Sequence, residues 1–111
     1  MISISIIIVN LNTQDLLRAC LNSVYAEIAP LQSEVLVIDN GSTDGSVEMV
    51  QSEFPSVRLT VNQTNEGFAR PNNCGMSMAQ GRYVLLLNSD TEVRRDAIRS
   101  LQAFLDTHSD A

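Results

Sequence analysis

The sequence predicts an α/β fold: a parallel sheet of about four strands with helices on both faces. Three observations carry this. Four apolar runs of strand length alternate with four stretches of helical periodicity. The apolar runs are continuous rather than alternating, as in strands covered on both faces. The connections are short, which fits parallel strands joined by crossover helices. A chain of 111 residues that is 44% hydrophobic and 18% charged is a single globular domain, and with 5% aromatics and no Trp its core is aliphatic.

The first strand, residues 4–9, is Ile4, Ile6, Ile7, Ile8 and Val9 around a single Ser5. From Asp15 onward, Leu16, Leu17, Cys20, Leu21 and Val24 recur at helical spacing, with Arg18 and Asn22 off that stripe. Residues 34–38 form a second buried strand that ends in Asp39, Asn40, Gly41, Ser42, Thr43 and Asp44, all turn or cap formers. Asp44 is expected to N-cap a helix carrying Val47, Val50 and Phe54, which Pro55 stops. Residues 57–61 are the third strand. After the polar loop 62–66, Gly67 opens a helical pattern through Phe68, Met76 and Ala79. Pro71 fits only its first turn, where the missing N–H does no harm, and Gly81 ends it. Residues 82–87 are the fourth strand, broken by Asn88, Ser89 and Asp90. The last helix starts near Val93, with Ala97, Ile98, Leu101 and Leu105 on one face.

This βαβαβαβα order is Rossmann-like. In such sheets a ligand sits outside the carboxyl ends of the strands, where strand order reverses. The rule singles out four polar loops: 10–13, 39–44, 62–66 and 88–92.

Charge narrows the function. The net charge is −6, all seven bases are Arg, and there is no Lys. A phosphate-binding P-loop and Schiff-base chemistry both need a Lys and are excluded. No basic stripe is present to bind nucleic acid. A phosphorelay receiver would need a Lys and a carboxylate pair after the first strand, where Asn10 and Asn12 stand. A dinucleotide-binding domain would need a Gly-rich turn there, and residues 10–14 contain no Gly. An anionic ligand would therefore need a metal ion to mediate it. Cys20 and Cys74 are too few for a disulfide framework and read as reduced, cytoplasmic thiols. The apolar N-terminus lacks a basic region and a cleavage site, so it reads as a strand rather than a signal peptide. No apolar run approaches the roughly 20 residues of a transmembrane segment, and a soluble protein is expected.

Asp39 and Asp90 follow the second and fourth strands. If those strands flank the first, their carboxylates border one crevice with Asn12 between them. Such a carboxylate can hold Mg²⁺ or Mn²⁺ with substrate phosphates completing the shell. It can equally accept from a ribose or a base edge, or merely cap a turn; spacing leaves all three open.

The segments from Ser5 to Asn12, Val37 to Gly45 and Leu86 to Thr91 resemble the inverting family-2 glycosyltransferases in order and spacing. The stretch with Asn65, Glu66, Gly67, Phe68, Ala69, Asn72, Asn73, Cys74, Gly75, Gly81, Arg82 and Tyr83 resembles the same family's third helix. The resemblance implies a GT-A nucleotide-binding part that holds a nucleotide-diphosphate sugar of the UDP or dTDP type. It implies that Asp39 contacts the nucleobase, and that Asn10, Leu11 and Asn12 line the base pocket. Ser89 would approach the ribose, and Asp90 would bind the divalent metal. Two departures are present. Leu11 replaces the usual aromatic, and Asn88 and Ser89 leave Asp90 as the one carboxylate of the acidic motif. The form around Asn88 to Thr91 is similar to rhamnosyltransferase-like members.

Read through that resemblance, residues 1–111 are the donor-binding N-terminal part of a truncated glycosyltransferase domain. The general base would lie in a missing C-terminal half, the acceptor would be a cell-surface glycan or glycolipid, and this chain alone would be inactive. The protein would be cytoplasmic, or peripheral at the inner face of the membrane. The alternative is a noncatalytic nucleotide-binding or assembly module. Loss of a second half would expose apolar surface along the last strand and its helix and favour a homodimer. Asn73 is a further candidate for the donor crevice. Arg70 reads as a surface residue, Glu66 as a partner of the helix dipole, His108 as a C-terminal dipole partner, and Met76 and Met78 as packing residues.

Overall fold

The computed structural model describes residues 2–28, 32–67, 69–90 and 97–107. The elements are β1 (Ile4–Asn10), α1 (Gln14–Ile28), β2 (Ser33–Asp39), α2 (Ser46–Glu53), β3 (Arg58–Val61), α3 (Ala69–Met78), β4 (Tyr83–Asn88) and α4 (Ala97–Thr107). All strand pairs are parallel, in the order β3-β2-β1-β4. The α/β class, the four parallel strands and helices on both faces are as the sequence predicts. The start of the last helix near Val93, together with Phe68 and His108, lies outside the described residues.

β1 is central because it can be buried on both sides. Ile4, Ile6 and Ile8 face a core built with Leu17, Leu21 and Val24 of α1, Met49 and Val50 of α2 and Ile98 of α4. Ile7 faces the other way, with Leu36 and Ile38, against α3. Gly75 makes that second contact close: a Cβ there would sit 2.5 Å from Ile7 Cγ2. At the amino end of the sheet, Glu34 Oε2 accepts from the Ser5 hydroxyl (2.6 Å) and the Gln80 N–H (2.7 Å), and Oε1 accepts from Arg58 (2.7 Å). The Gly81 N–H donates to Ser5 Oγ at 2.7 Å, and any Cβ on Gly81 would collide with Ser5. These bonds fix the turn that brings β4 beside β1. Burial pushes the Glu34 carboxyl up, but the Ser5, Gln80 and Arg58 hydrogen bonds outweigh it and hold it below the ordinary carboxylate range.

Three expectations need correcting. β4 is not covered on both faces: Leu85 and Leu87 pack on the core, while Val84 and Leu86 are exposed on the α3 side. α3 lies over β1 and β2 and does not extend across β4. Met76 is exposed; only Met78 packs, against the Ile7 cluster. On α4, Ile98 is buried while Leu101 and Phe104 are exposed, which together with Val84 and Leu86 is the apolar surface expected along the last strand and its helix. Asp44 is not the N-cap of α2. That position is Gly45, in the left-handed region at φ 92°, which glycine adopts without strain. No helix among the described residues is long and apolar enough to cross a membrane.

Candidate functional site

Strand order reverses at β1, so β1, β2 and β4 deliver their carboxyl ends side by side, with Asn10 level with Asp39 and Val9 with Asn88. The polar residues of the following loops form one connected network there. Asp39 is buried and its carboxylate is fully engaged. Oδ1 accepts from Ser42 Oγ (2.7 Å) and Asn10 Nδ2 (3.1 Å); Oδ2 accepts from the N–H groups of Ser42 (2.8 Å) and Gly41 (3.2 Å). Four donors compensate a charge that would otherwise be costly to bury.

Ser42 is the hub between the first two loops. Besides donating to Asp39, its oxygen accepts from the Asn12 N–H (2.9 Å) and from Asn10 Nδ2 (3.3 Å). Asn12 takes a positive φ of 52°, which Asn tolerates better than most residues, and its Oδ1 accepts the Thr43 N–H at 2.8 Å. Asn10 is wholly buried and its Oδ1 accepts the Thr13 hydroxyl at 2.6 Å. Thr13 Oγ1 also lies 2.9 Å from Ser89 Oγ, which carries the network across to the end of β4. The third loop is tied in by Asn40. Its Nδ2 donates to Asn65 Oδ1 (2.8 Å) and Gly67 O (2.9 Å), and its Oδ1 accepts the Glu66 N–H (2.9 Å).

The sequence-predicted residues Asn10, Asn12, Asp39 and Ser89 thus come together. Leu11 sits at the rim, exposed. Asp90 follows Ser89 and is exposed, with no hydrogen bond or ion pair among the described residues. Its charge is felt by the Cys20 thiol, which burial first and Asp90 second push up to about 11. Asn73 does not join the network: it is exposed on α3, and its neighbour Asn72 is the buried one. Arg70 is likewise exposed. Sequence reasoning missed Thr13, Ser42 and Asn40 as organising residues. The available signal was the density of Asn, Ser and Thr in loops 10–13 and 39–44.

Among the described residues no three His, Cys, Asp or Glu side chains converge on a cation position. The Asp90 carboxylate, unengaged among the described residues, suits a cation whose remaining oxygen ligands come from a bound diphosphate and water, the usual arrangement for Mg²⁺.

Comparison with known proteins agrees with this geometry. The chain is 30% identical over 112 residues to the poly(ribitol-phosphate) beta-N-acetylglucosaminyltransferase TarS of Staphylococcus aureus, covering 97% of this chain and 20% of that protein. A crystal structure of S. aureus TarS in complex with UDP superposes with a TM-score of 0.88 at 27% identity, over 97% of this chain and 33% of that one. The mannosyltransferase PcManGT of Pyrobaculum calidifontis, in complex with GDP-Man and Mn²⁺, gives a TM-score of 0.84 at 25% identity, over 92% and 32%. The chain therefore spans between a fifth and a third of the length of these proteins. Residues 5–111 match the family described as Glycosyl transferase family 2, and the chain belongs to that family.

Proposed function

We propose that this chain is the donor-binding part of an inverting glycosyltransferase, holding a nucleotide-diphosphate sugar across the carboxyl ends of β1, β2 and β4. The observation that carries this is the joined Asp39, Asn10, Ser42 and Ser89 network at the point of strand reversal, with the exposed Asp90 carboxylate next in line. Ser89 faces the ribose, and Asn10, Leu11 and Asn12 shape the base pocket, with Asn73 at its margin. Asp39 holds the 39–44 turn around the nucleobase. Its carboxylate reaches the base only if the ligand displaces one of its four donors, the longest bond being that from Gly41. A divalent cation at Asp90, when bound, would neutralise charge on the leaving diphosphate. The UDP bound to TarS favours a UDP-type donor over dTDP.

The general base and acceptor site are assigned to sequence beyond these 111 residues. Val84 and Leu86 are exposed on β4, which has no strand on its outer side among the described residues, and they suit cover by such a continuation. An acceptor of the cell-surface glycan or glycolipid class, met at the cytoplasmic face of the membrane, agrees with the poly(ribitol-phosphate) named for TarS. The test is calorimetric titration with UDP, dTDP and GDP, with and without Mn²⁺, beside Asp90→Ala. Metal-dependent binding of one nucleotide, lost in the variant, is the expected result. Failure of all three to bind a folded sample at millimolar concentration would favour a noncatalytic assembly module.

A further inference from the structure

Thr13 immediately precedes α1, where a threonine hydroxyl ordinarily caps the backbone N–H groups of its own helix. Here it does not. The Gln14 N–H is taken by Asp44 Oδ2 at 3.0 Å, and the Thr13 hydroxyl turns back to Asn10 Oδ1 at 2.6 Å and Ser89 Oγ at 2.9 Å. A carboxylate from another loop thus serves the first N–H of the helix, while the Thr13 hydroxyl, among the described residues, meets Asn10 and Ser89 rather than the Asp15 or Leu16 N–H it would cap.

The direction of every proton in this chain of contacts can be worked out. Two backbone N–H groups and the Ser42 hydroxyl already donate to the Asp39 carboxylate, which has no proton to give. The Asn10 group facing Asp39 must therefore be its NH₂, leaving its carbonyl oxygen to face Thr13. An amide oxygen only accepts, so Thr13 gives its one hydroxyl proton to Asn10. In the remaining contact Thr13 can only accept, so Ser89 donates to it. The Ser89 proton is thereby committed inward, and the lone pairs left on its oxygen can only accept.

We propose that Thr13 is a positioning residue that fixes the polarity of Ser89, making it an acceptor for a hydroxyl group of the bound ligand and a poor partner for phosphate oxygen. The buried Asp39 sets the direction, Asn10 and Thr13 transmit it across two strands, and Ser89 presents it at the end of β4. The ligand hydroxyl rests on the donor-binding reading above; the direction of the protons does not.

Two measurements separate the two. The first needs no ligand. In mixed H₂O and D₂O, a slowly exchanging hydroxyl splits the ¹³Cβ signal of its serine. Ser89 is expected to show this splitting in the 111-residue chain and in Thr13→Ser, and to lose it in Thr13→Val. Exchange of the Ser89 hydroxyl as fast as that of an exposed serine would overturn the relay, whatever any nucleotide does.

The second compares UDP, 2′-deoxy-UDP and 3′-deoxy-UDP by calorimetry with Mn²⁺. One deoxy analogue is expected to bind about fivefold to tenfold more weakly than UDP, the range of one lost hydrogen bond. Thr13→Val should cut that ratio by threefold or more, Thr13→Ser should restore it, and in a Ser89→Ala background Thr13→Val should leave it unchanged. Equal weakening of all three nucleotides by Thr13→Val, with the ratio intact, would mean that Thr13 only supports the loop and would overturn the proposal. If no nucleotide binds while the Ser89 splitting is present, the donor-binding reading fails and the relay stands.

Discussion

Asp44 Oδ2 accepts the backbone N–H of Gln14 at 3.0 Å, so the first turn of α1 is capped by a carboxylate from the loop that opens α2. The other oxygen of Asp44 accepts from the Ser46 N–H and the Ser46 hydroxyl. One side chain thereby serves two helix ends and stitches together the loops after β1 and β2. Asp44→Ala should lower stability by about 1–2 kcal/mol, read from the urea midpoint, and Asp44→Asn should recover much of it. The Ser46 hydroxyl bond holds the Asp44 carboxyl below its ordinary value against the opposing effect of burial, with the Gln14 and Ser46 N–H groups adding to it. A carboxyl lowered by folding contributes fully above its unfolded pKa and loses the contribution as pH falls through the folded one. The gap between wild type and Asp44→Ala should accordingly narrow in acid.

Glu34 and Arg58 make the second prediction. The Glu34 side chain is 8% exposed and holds three donors, while Arg58 at 39% keeps contact with water. Replacing the carboxylate by an amide removes the charge opposite Arg58 and sets an NH₂ either against Arg58 or against the Ser5 and Gln80 donors, so Glu34→Gln should cost about 1.5–3 kcal/mol. The Glu34 carboxyl is also lowered, so its contribution persists above the unfolded pKa and fades as pH drops. Denaturation curves of the wild type and Glu34→Gln that keep a constant separation down to strongly acid pH would contradict this.

Gly75 against Ile7 sets helix propensity against packing. Gly75→Ala gains about 1 kcal/mol of intrinsic helix preference. The new methyl would lie 2.5 Å from Ile7 Cγ2 in the core, and overpacking costs about 1–3 kcal/mol. The net change should therefore be destabilising. Ile7→Ala removes the opposing atoms and, although costly alone, should make the double variant more stable than the sum of the two single effects predicts.

The two thiols should differ sharply in reactivity. Cys20 is fully buried, and its thiol is pushed up to about 11 by burial and then by Asp90. Only the thiolate reacts, so a thiol reagent at pH 8 should modify the half-buried Cys74 first and reach Cys20 only on unfolding. Mass spectrometry of the folded, partially labelled protein reads the order directly.

Asp90→Ala should separate binding from stability. The carboxylate makes no hydrogen bond among the described residues, so the urea midpoint should stay within about 0.5 kcal/mol of wild type. Metal-dependent nucleotide affinity should fall about tenfold, and chelation of Mn²⁺ should bring the wild type to the same level.

The parts of the fold most legible in the sequence were those set by one-dimensional pattern. The isoleucines of β1 and the Val35 to Ile38 run announced buried strands because both faces demand apolar residues. β4 was misread for the same reason: Val84 to Leu87 is apolar throughout, and nothing in a run of that kind tells which face α3 leaves open. Asn72 and Asn73 are adjacent on α3 and so differ by about 100° in helix phase, and which of the two is buried depends on how the helix is rotated against the sheet. At the site, the strand-end rule singled out loops 10–13, 39–44 and 88–92, and Asn12, Asp39 and Ser89 lie in them, at or just past the ends of β1, β2 and β4. Thr13 and Asp44 were not found in their actual roles, since their partners lie in other loops and only the folded chain brings them within bonding distance.

Ser5 at the foot of the central strand meets Glu34, 29 residues on, and Gly81, 76 residues on. During synthesis from the amino end, β1 can take its first neighbour early, but its other side waits until β4 has been made. Through that interval the isoleucine-rich strand that later lies deepest in the protein is a bare edge, open to any extended segment nearby. The Gly81 latch thus marks the moment at which the nascent chain stops being adhesive. Slowing translation ahead of that codon would lengthen its dependence on chaperones, while the same delay placed after β4 would have little effect.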